Sequence, residues 1–368
     1  MRVLLTGGAG YIGAHTALAL MEAGHAVVVV DDLSNSSAEA IARVEGLART
    51  KIPFLAADAR DEAALRSFVR EHAPVDAVIH LAGLKSVGES IAEPVRYYDV
   101  NVGSAVAVLK VMAAEGIGTI VFSSSATVYG QPETLPLTED ARSGVDLANP
   151  YGRTKHVIEG LLEAAAAADP RLRAVALRYF NPVGAHPSGL IGEDPSETPS
   201  NLMPYVARVA VGALERVGVF GDDYPTPDGT GQRDYIHVVD LAEGHVAALE
   251  HIREGYDVFN LGTGVPVSVL ELIASFERAA GRPIPRTVLP RRPGDVAASY
   301  CDPVKAGREL GWTASRTIDD ACRDSWNWQS RNPRGYRATA ESAHGRGCRQ
   351  PPAGEWFTPV RAPCSAGA

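Results

Sequence analysis

Along the first half of the chain, apolar residues fall into short runs separated by amphipathic stretches. The runs at 2–6 (RVLLT), 26–31 (AVVVVD), 52–57, 75–80 (VDAVIH), 118–124 (GTIVFSS) and 172–179 (LRAVALRY) are five to eight residues long, and several are rich in β-branched side chains. Continuous rather than alternating hydrophobicity is what a strand covered on both faces requires, as in a parallel sheet. Between the runs, residues 11–23, 61–72, 94–115 and 150–168 place apolar side chains at helical spacing. Strands alternating with helices predict right-handed βαβ units and an α/β fold with a doubly wound parallel sheet. No internal repeat of solenoid length is present. The stretches 94–115 and 150–168 are apolar on more than one face; burial within the chain and contact with a partner subunit both account for that.

The first run ends in TGGAGYIG, residues 6–13, which places Gly7, Gly10 and Gly13 at three-residue spacing. Glycines between a strand and a helix let the backbone turn tightly and approach a pyrophosphate at the helix N-terminus, which makes the sheet Rossmann-type. Asp31 closes the second run, eighteen residues past Gly13, where an acid bonds the adenosine ribose hydroxyls and repels a 2′-phosphate. The predicted cofactor is therefore NAD rather than NADP. Asp58, after the third run, can meet the adenine amino group or be an ordinary turn acid. Ala82 and Gly83, after the fourth, are small enough to let a dinucleotide pass close to the backbone.

A second constellation follows. SSSATVYG (123–130) ends the fifth run, and YGRTK (151–155) opens the helix at 150–168. Tyr151 and Lys155 stand four residues apart, hence on one helical face. A free tyrosine has a pKa near ~10, too high for a base at neutral pH. A nearby ammonium and a positive nicotinamide ring would lower it. Such a tyrosine can take a proton from a sugar hydroxyl while hydride leaves the same carbon, with Ser125 bonding the same oxygen.

Composition narrows the partners. A formal net charge of −9 argues against nucleic acid, whose binders present a basic face. No apolar run is long enough to cross a bilayer, and the chain enters directly into a strand without a leader pattern, so a cytoplasmic protein is expected. Cys301, Cys322, Cys348 and Cys364 lack C-x-x-C spacing, which excludes a zinc ribbon, and the histidines, His237, His245 and His251 among them, show no metal spacing.

These residues resemble the extended short-chain dehydrogenase/reductase superfamily and, within it, the bacterial UDP-glucose 4-epimerases. The similarity runs from Met1 to about Tyr336 through RVLLTGGAGYIGAHT, VIHLAGLKSVGES, FSSSATVYG, YGRTKHVIE, LRYFNPVGAHPSG, NLMPYVARVAVG, DYPTPDGTGQRDYIHV, FNLGTG and RRPGD. The resemblance implies reversible C4 epimerisation of UDP-glucose and UDP-galactose with NAD retained. Tyr151 takes the C4 hydroxyl proton, a 4-keto sugar forms, and the hexose swings about its diphosphate before the hydride returns to the other face. It carries the cofactor site onto Gly7, Gly10, Tyr11, Ile12, Gly13, Asp31, Asn35, Asp58, Leu81, Ala82, Gly83, Lys85, Asn101, Ser125, Tyr151, Lys155 and Phe180. It carries the UDP-sugar site onto Ser125, Tyr151, Tyr179, Asn181, Asn201, Leu202, Phe220, Arg233, Tyr235, Arg292, Asp295 and Ser299. The catalytic residues are Tyr151, Lys155 and Ser125; no metal is implied, and a homodimer is. Asn181, Asn201, Arg233 and Arg292 would bind diphosphate and sugar oxygens, Phe220 and Tyr235 surround the nucleotide, and Asp295 takes the uridine ribose hydroxyls.

Two departures stand out. Relatives often carry Asp-Ile where this chain has Asp58-Ala59, and Ser299 replaces the bulky tyrosine that restricts some relatives at the hexose C2 substituent. The small side chain predicts that UDP-N-acetylglucosamine is also accepted. A 4,6-dehydratase would need a carboxylate in the slot that reads Ser125-Ala126-Thr127, and a sensor that only holds NAD has little use for Ser125, Tyr151 and Lys155 together. A UDP-glucuronate decarboxylase would need a basic partner for the substrate carboxylate, which the sequence does not single out. The expected organisation is a nucleotide domain over 1–181, rejoined by 234–264, and a smaller α/β UDP-sugar domain built from the rest of 182–336. Residues 337–368, with four Arg and two Glu among Ala, Pro and Gly, are expected to be a disordered tail in which EWFTPV could dock.

Overall fold

The structure, a computed structural model, describes residues 1–195, 199, 201–292 and 294–337. Its first half alternates β1 (Arg2–Thr6), α1 (Tyr11–Glu22), β2 (Ala26–Asp31), α2 (Ala38–Ala48), β3 (Phe54–Ala56), α3 (Glu62–Glu71) and β4 (Ala77–His80). Two short helices, α4 (Val87–Ala92) and α5 (Pro94–Tyr97), then lead into α6 (Gly103–Glu115), β5 (Thr119–Ser125), α7 (Pro150–Ala168) and β6 (Arg173–Tyr179). The second half holds β7 (Asn181–Val183), α8 (Leu202–Ala210), β8 (Val217–Phe220), β9 (Gln232–His237), α9 (Val238–Glu250) and β10 (Gly255–Leu261). It closes with β11 (Pro266–Ser268), α10 (Val269–Ala280), β12 (Arg286–Leu289), β13 (Ala298–Ser299), α11 (Val304–Leu310) and α12 (Ile318–Arg331).

Seven strands form one sheet in the order β10-β6-β5-β4-β1-β2-β3, parallel throughout. Successive residues of β1 point to opposite faces, and both faces are covered. Val3 and Leu5 pack with Val29 and Ile79 under α1, α2 and α9, while Leu4 packs with Val28, Val78 and Phe122 under α3, α6 and α7. That double covering is why the strands read as unbroken apolar runs. The strand order reverses beside β1, and the crevice at the carboxyl ends of β1 and β4 is where an open α/β sheet receives its ligand.

Periodicity overlooked α2 and α4, both helices capped by a serine: Ser37 accepts from the Glu39 amide and Ser86 from the Glu89 amide. The stretch 94–115 is also not one helix. A π-helical turn, Tyr98–Val102, separates α5 from α6 and places Asn101 in a buried position.

A smaller sheet, β11-β9-β13 with β7 paired to β9, and a parallel β8–β12 pair form the other part of the compact unit Met1–Tyr336. Within 234–264, β9 belongs to this small sheet, α9 lies along α1, and β10 extends the large sheet beside β6. Met203, Val206, Val219, Leu272, Ile273 and Phe276 make the small core. Helix α10 starts on a capping box between Ser268 and Glu271, and α12 on one between Thr317 and Asp320. Cys301 and Cys322 are buried free thiols. Among the described residues no helix is long and apolar enough to cross a membrane, and no group of side chains has metal-ligand geometry. His237 caps α9, and His245 is buried in the core. The expectations placed on the tail, including Cys348 and Cys364, lie outside the described residues.

Phe276 has no exposed surface and joins α10 to the small core. Phe276→Ala is expected to lower unfolding free energy by about 3–5 kcal/mol, read from denaturant melts.

Candidate active site

The turn after β1 is built against the turn after β4. Gly7 has φ +73°, and a Cβ there would lie 2.6 Å from the amide nitrogen of Ala82. A side chain on Gly13 would land on the Gly7 carbonyl oxygen. Gly10 differs: only that carbonyl, at 3.4 Å, lies within 4 Å of its Cβ position. Gly10 is also the N-cap of α1 and provides no side-chain acceptor, which leaves the first-turn N–H groups open to an anion. A pyrophosphate fits this cradle.

Asp31, 7% exposed, accepts from the Ala9 amide at 3.0 Å, the Leu33 amide at 2.9 Å and the Ser36 hydroxyl at 2.6 Å. It thereby ties the glycine turn to the loop after β2, in which Asn35 lies. A buried carboxylate here repels a 2′-phosphate and suits NAD. Ile12 packs against the core under α1, and the Tyr11 hydroxyl donates to the Gly184 carbonyl at 2.7 Å.

After β4, the Leu81 amide donates to the Thr6 carbonyl at 3.0 Å, and Lys85 pairs with Glu193 at 3.1 Å. The Asn101 amide group clasps this loop. Its oxygen accepts from the Leu84 amide at 2.7 Å, and its nitrogen donates to the Leu84 carbonyl at 3.1 Å and to Thr154 Oγ1 at 3.0 Å. A Cβ on Gly83 would sit 3.0 Å from the same oxygen. Asn101 thus locks the Ala82–Gly83 passage onto α7. Asp58 is paired with Arg60 at 2.6 Å, and Arg60 also reaches Asp99. The Arg60 hydrogen bonds hold the Asp58 carboxyl below the usual range.

Helix α7 is fixed at its start by Asn149, whose side chain accepts from the Gly152 amide at 2.8 Å, and by Pro150 in the first turn. Lys155 Nζ donates to the Ser123 carbonyl at 2.7 Å and lies 4.9 Å and 5.8 Å from the ring centres of Phe122 and Tyr151. Burial draws Lys155 down to about 8, opposed by Glu159. Burial pushes the Tyr151 pKa up and the Ser125 hydroxyl draws it down, while the Lys155 ammonium, one turn along, donates to the Ser123 carbonyl. Ser125 in turn accepts from Thr127 Oγ1 at 3.0 Å.

Tyr179 and Phe180 are both buried. The Tyr179 hydroxyl meets His245 Nε2 in the core, and Phe180 packs with Val128, Tyr129, Leu137 and Cys301. Asn181 pairs in register with Tyr235, and Ser299 with Arg233. Arg233 donates to the Val296 carbonyl at 2.9 Å and lies 3.9 Å from Asp295. Arg292 donates to Asp295 at 2.9 Å, with its guanidinium 4.7 Å from the Phe220 ring centre. Tyr235 is pushed up to about 12 by burial, against Arg233 and Arg292, which draw it down. Phe220, Arg233, Tyr235, Arg292, Asp295 and Ser299 are therefore one cluster, and its two guanidinium groups have the fork geometry that can bind phosphate oxygens. Asn201 caps α8 without a side-chain hydrogen bond, and Leu202 begins that helix.

Sequence reasoning missed Glu193, Asn149, Thr127 and the buried pair Glu159–Arg178. For Glu159 a signal existed: it lies one further turn along the Tyr151–Lys155 face.

The sequence pattern of the NAD dependent epimerase/dehydratase family matches residues 3–262. The UDP-glucose 4-epimerase of Bacillus subtilis (strain 168) is 54% identical over 340 residues, covering 92% of this chain and 99% of that protein. That of Mus musculus is 51% identical over 347 residues, with 92% and 99% covered. The crystal structure of UDP-glucose 4-epimerase from Bifidobacterium longum in complex with NAD+ and UDP matches with a TM-score of 0.88 at 54% identity, covering 91% of this chain and 100% of that one. Identity above one half, across nearly the whole of both chains, places this chain in the NAD dependent epimerase/dehydratase family, among its UDP-glucose 4-epimerases, with the NAD-dependent exchange of UDP-glucose and UDP-galactose as its reaction.

Proposed function

We propose that Tyr151 is the acid/base of this epimerisation, with Lys155 and Ser125 as its partners. The observation that carries the reading is the packing of α7 on the end of β5, which sets the Tyr151 hydroxyl by Ser125 and the Lys155 ammonium one turn behind it. Gly7, Gly10, Gly13, Asp31 and the Leu81–Lys85 loop would hold NAD. When bound, NAD supplies the hydride acceptor and donor for C4. Tyr151 removes the C4 hydroxyl proton and returns it after the sugar has turned over. Ser125 hydrogen-bonds the C4 oxygen, and the Lys155 charge favours the phenolate against burial. Arg233 and Arg292 grip the diphosphate, Asp295 the uridine ribose, and Phe220 and Tyr235 flank the nucleotide. Asn181 and Asn201 touch the sugar side lightly enough for the hexose to rotate.

Ser299 extends the reading to N-acetylated sugars, supported by its small side chain beside Arg233. The domain division is read as a nucleotide part over 1–181, joined by α9 and β10, and a UDP-sugar part over the remaining described residues. A homodimer is supported by exposed apolar side chains on neighbouring elements: Val87 and Ile91 on α4, Val95 on α5, and Val157 on α7, with Val95 80% exposed. Residence in the cytoplasm is supported by the buried free thiols Cys301 and Cys322.

Tyr151→Phe is expected to retain bound NAD while turnover of UDP-galactose falls about 10²–10⁴-fold, followed by chromatography of the sugar nucleotides; undiminished turnover refutes the assignment. Wild-type protein should convert UDP-N-acetylglucosamine, and Ser299→Tyr should lose that conversion while keeping UDP-galactose turnover. No conversion by the wild type disproves the wider pocket. The double variant Ile91→Glu, Val95→Glu should run as a monomer in light scattering where the wild type runs as a dimer. A monomeric wild type rejects the dimer.

A further inference from the structure

Three consecutive serines of β5 meet three residues of α7 spaced one turn apart. The Ser123 carbonyl takes the Lys155 ammonium, the Ser125 hydroxyl faces Tyr151, and the Ser124 hydroxyl donates to Glu159 Oε1. The outer two belong to the reading above; the middle one does not. Glu159 is gripped from β6 by Arg178, Nε to Oε1 at 3.0 Å and Nη2 to Oε2 at 2.8 Å, and the two side chains are 5% and 6% exposed. Arg178 is itself fixed by the Glu139 carbonyl at 3.2 Å and by the Tyr129 ring, 4.7 Å away. A buried ion pair gives little net stability, because desolvating both charges offsets their attraction. Stability alone therefore does not explain a carboxylate placed here.

We propose that Glu159, clamped by Arg178 and Ser124, is a positioning residue for Lys155: the clamp fixes the rotation of α7 on β5, and with it the seat of the ammonium at the Ser123 carbonyl, and sets a carboxylate one turn along the same helix face. The proposal rests on the reading that Tyr151 and Lys155 carry the proton chemistry.

The surroundings of Lys155 fit this role. Burial draws its pKa down to about 8, and Glu159 is the group that raises it. His80, across on β4, is drawn down to about 3 by burial and by Lys155, so it is neutral and offers no countercharge. Tyr129 beyond β5, Tyr179 on β6 and Tyr256 on β10 are all pushed up by burial and stay protonated. On α4, α5 and the π turn, the charged groups pair elsewhere: Arg96 with Glu89, and Asp99 with Arg60. Glu159, one turn along α7 and itself paired with the Arg178 guanidinium, is the anion that acts on the ammonium.

The test is the pH dependence of kcat and KM for UDP-galactose, measured on NAD-loaded wild type, Glu159→Gln, Glu159→Asp, Ser124→Ala and Tyr151→Phe. Activity that needs a protonated Lys155 is lost as pH rises through its pKa. Glu159→Gln should move that alkaline limb lower by about one pH unit or more, with kcat at pH 8 down about tenfold and KM little changed. Glu159→Asp should recover part of the shift. A Glu159→Gln protein that melts lower but keeps the wild-type limb and kcat overturns the proposal and leaves the pair purely structural. If Glu159→Gln does not fold, Ser124→Ala decides, since it keeps both charges and releases the register. A lower kcat at unchanged KM supports the proposal, and a wild-type kcat overturns it. Undiminished turnover by Tyr151→Phe would instead refute the underlying reading, whatever the Glu159 variants do.

Discussion

Almost everything chemical in this protein depends on how α7 lies across the end of β5. The strand is buried along its full length, so its last residues cannot shift toward solvent. The helix is pinned at its first turn by Asn149 and Pro150 and along its buried face by Ile158 and Leu162. Between those anchors, polar groups face one another in a buried interior, where each hydrogen bond is stronger and each unpaired group more costly than in water. Tyr151 and Lys155 are opposed by burial in opposite senses: the phenol is held protonated and the ammonium is pressed toward neutrality. A proton exchange between such a phenol and a sugar hydroxyl requires charge from nearby, and the register of helix on strand determines which charges are near.

Under the proposed assignment, the two ends of the substrate meet different physics. At the nucleotide end, Arg233, Arg292 and Asp295 already form an ion network, with Phe220 beneath one guanidinium and Tyr235 buried behind. At the sugar end, Asn201 has no capping bond and Ser299 is short. Such an arrangement favours tight holding of the diphosphate and free turning of the hexose, which is what exchanging faces at C4 requires.

Much of this was legible in the sequence, for definable reasons. Runs such as AVVVVD can only be satisfied by a doubly covered strand, so the order of strand and helix followed from apolar pattern alone. Helix α2 was not read because its signal lies in a cap, Ser37, rather than in a long apolar stripe. The break in 94–115 was invisible because a π turn leaves composition unchanged. Residue types located Tyr151 and Lys155, but the burial that pushes the tyrosine up was not readable there, since spacing reports proximity and says nothing of burial. Asn101 was placed at the cofactor, and its amide also clasps the loop after β4 onto α7.

The glycine turn carries a lesson about what such motifs record. Position 7 is glycine because the backbone of Ala82 stands against it, and position 13 because the Gly7 carbonyl does. Both constraints are internal to the polypeptide and would persist in a descendant that had stopped using any dinucleotide. Of the three, only position 10 would take a Cβ at ordinary contact distance, 3.4 Å from the Gly7 carbonyl. Drift away from glycine there, with 7 and 13 unchanged, would be the first visible trace of a scaffold kept after its cofactor was abandoned.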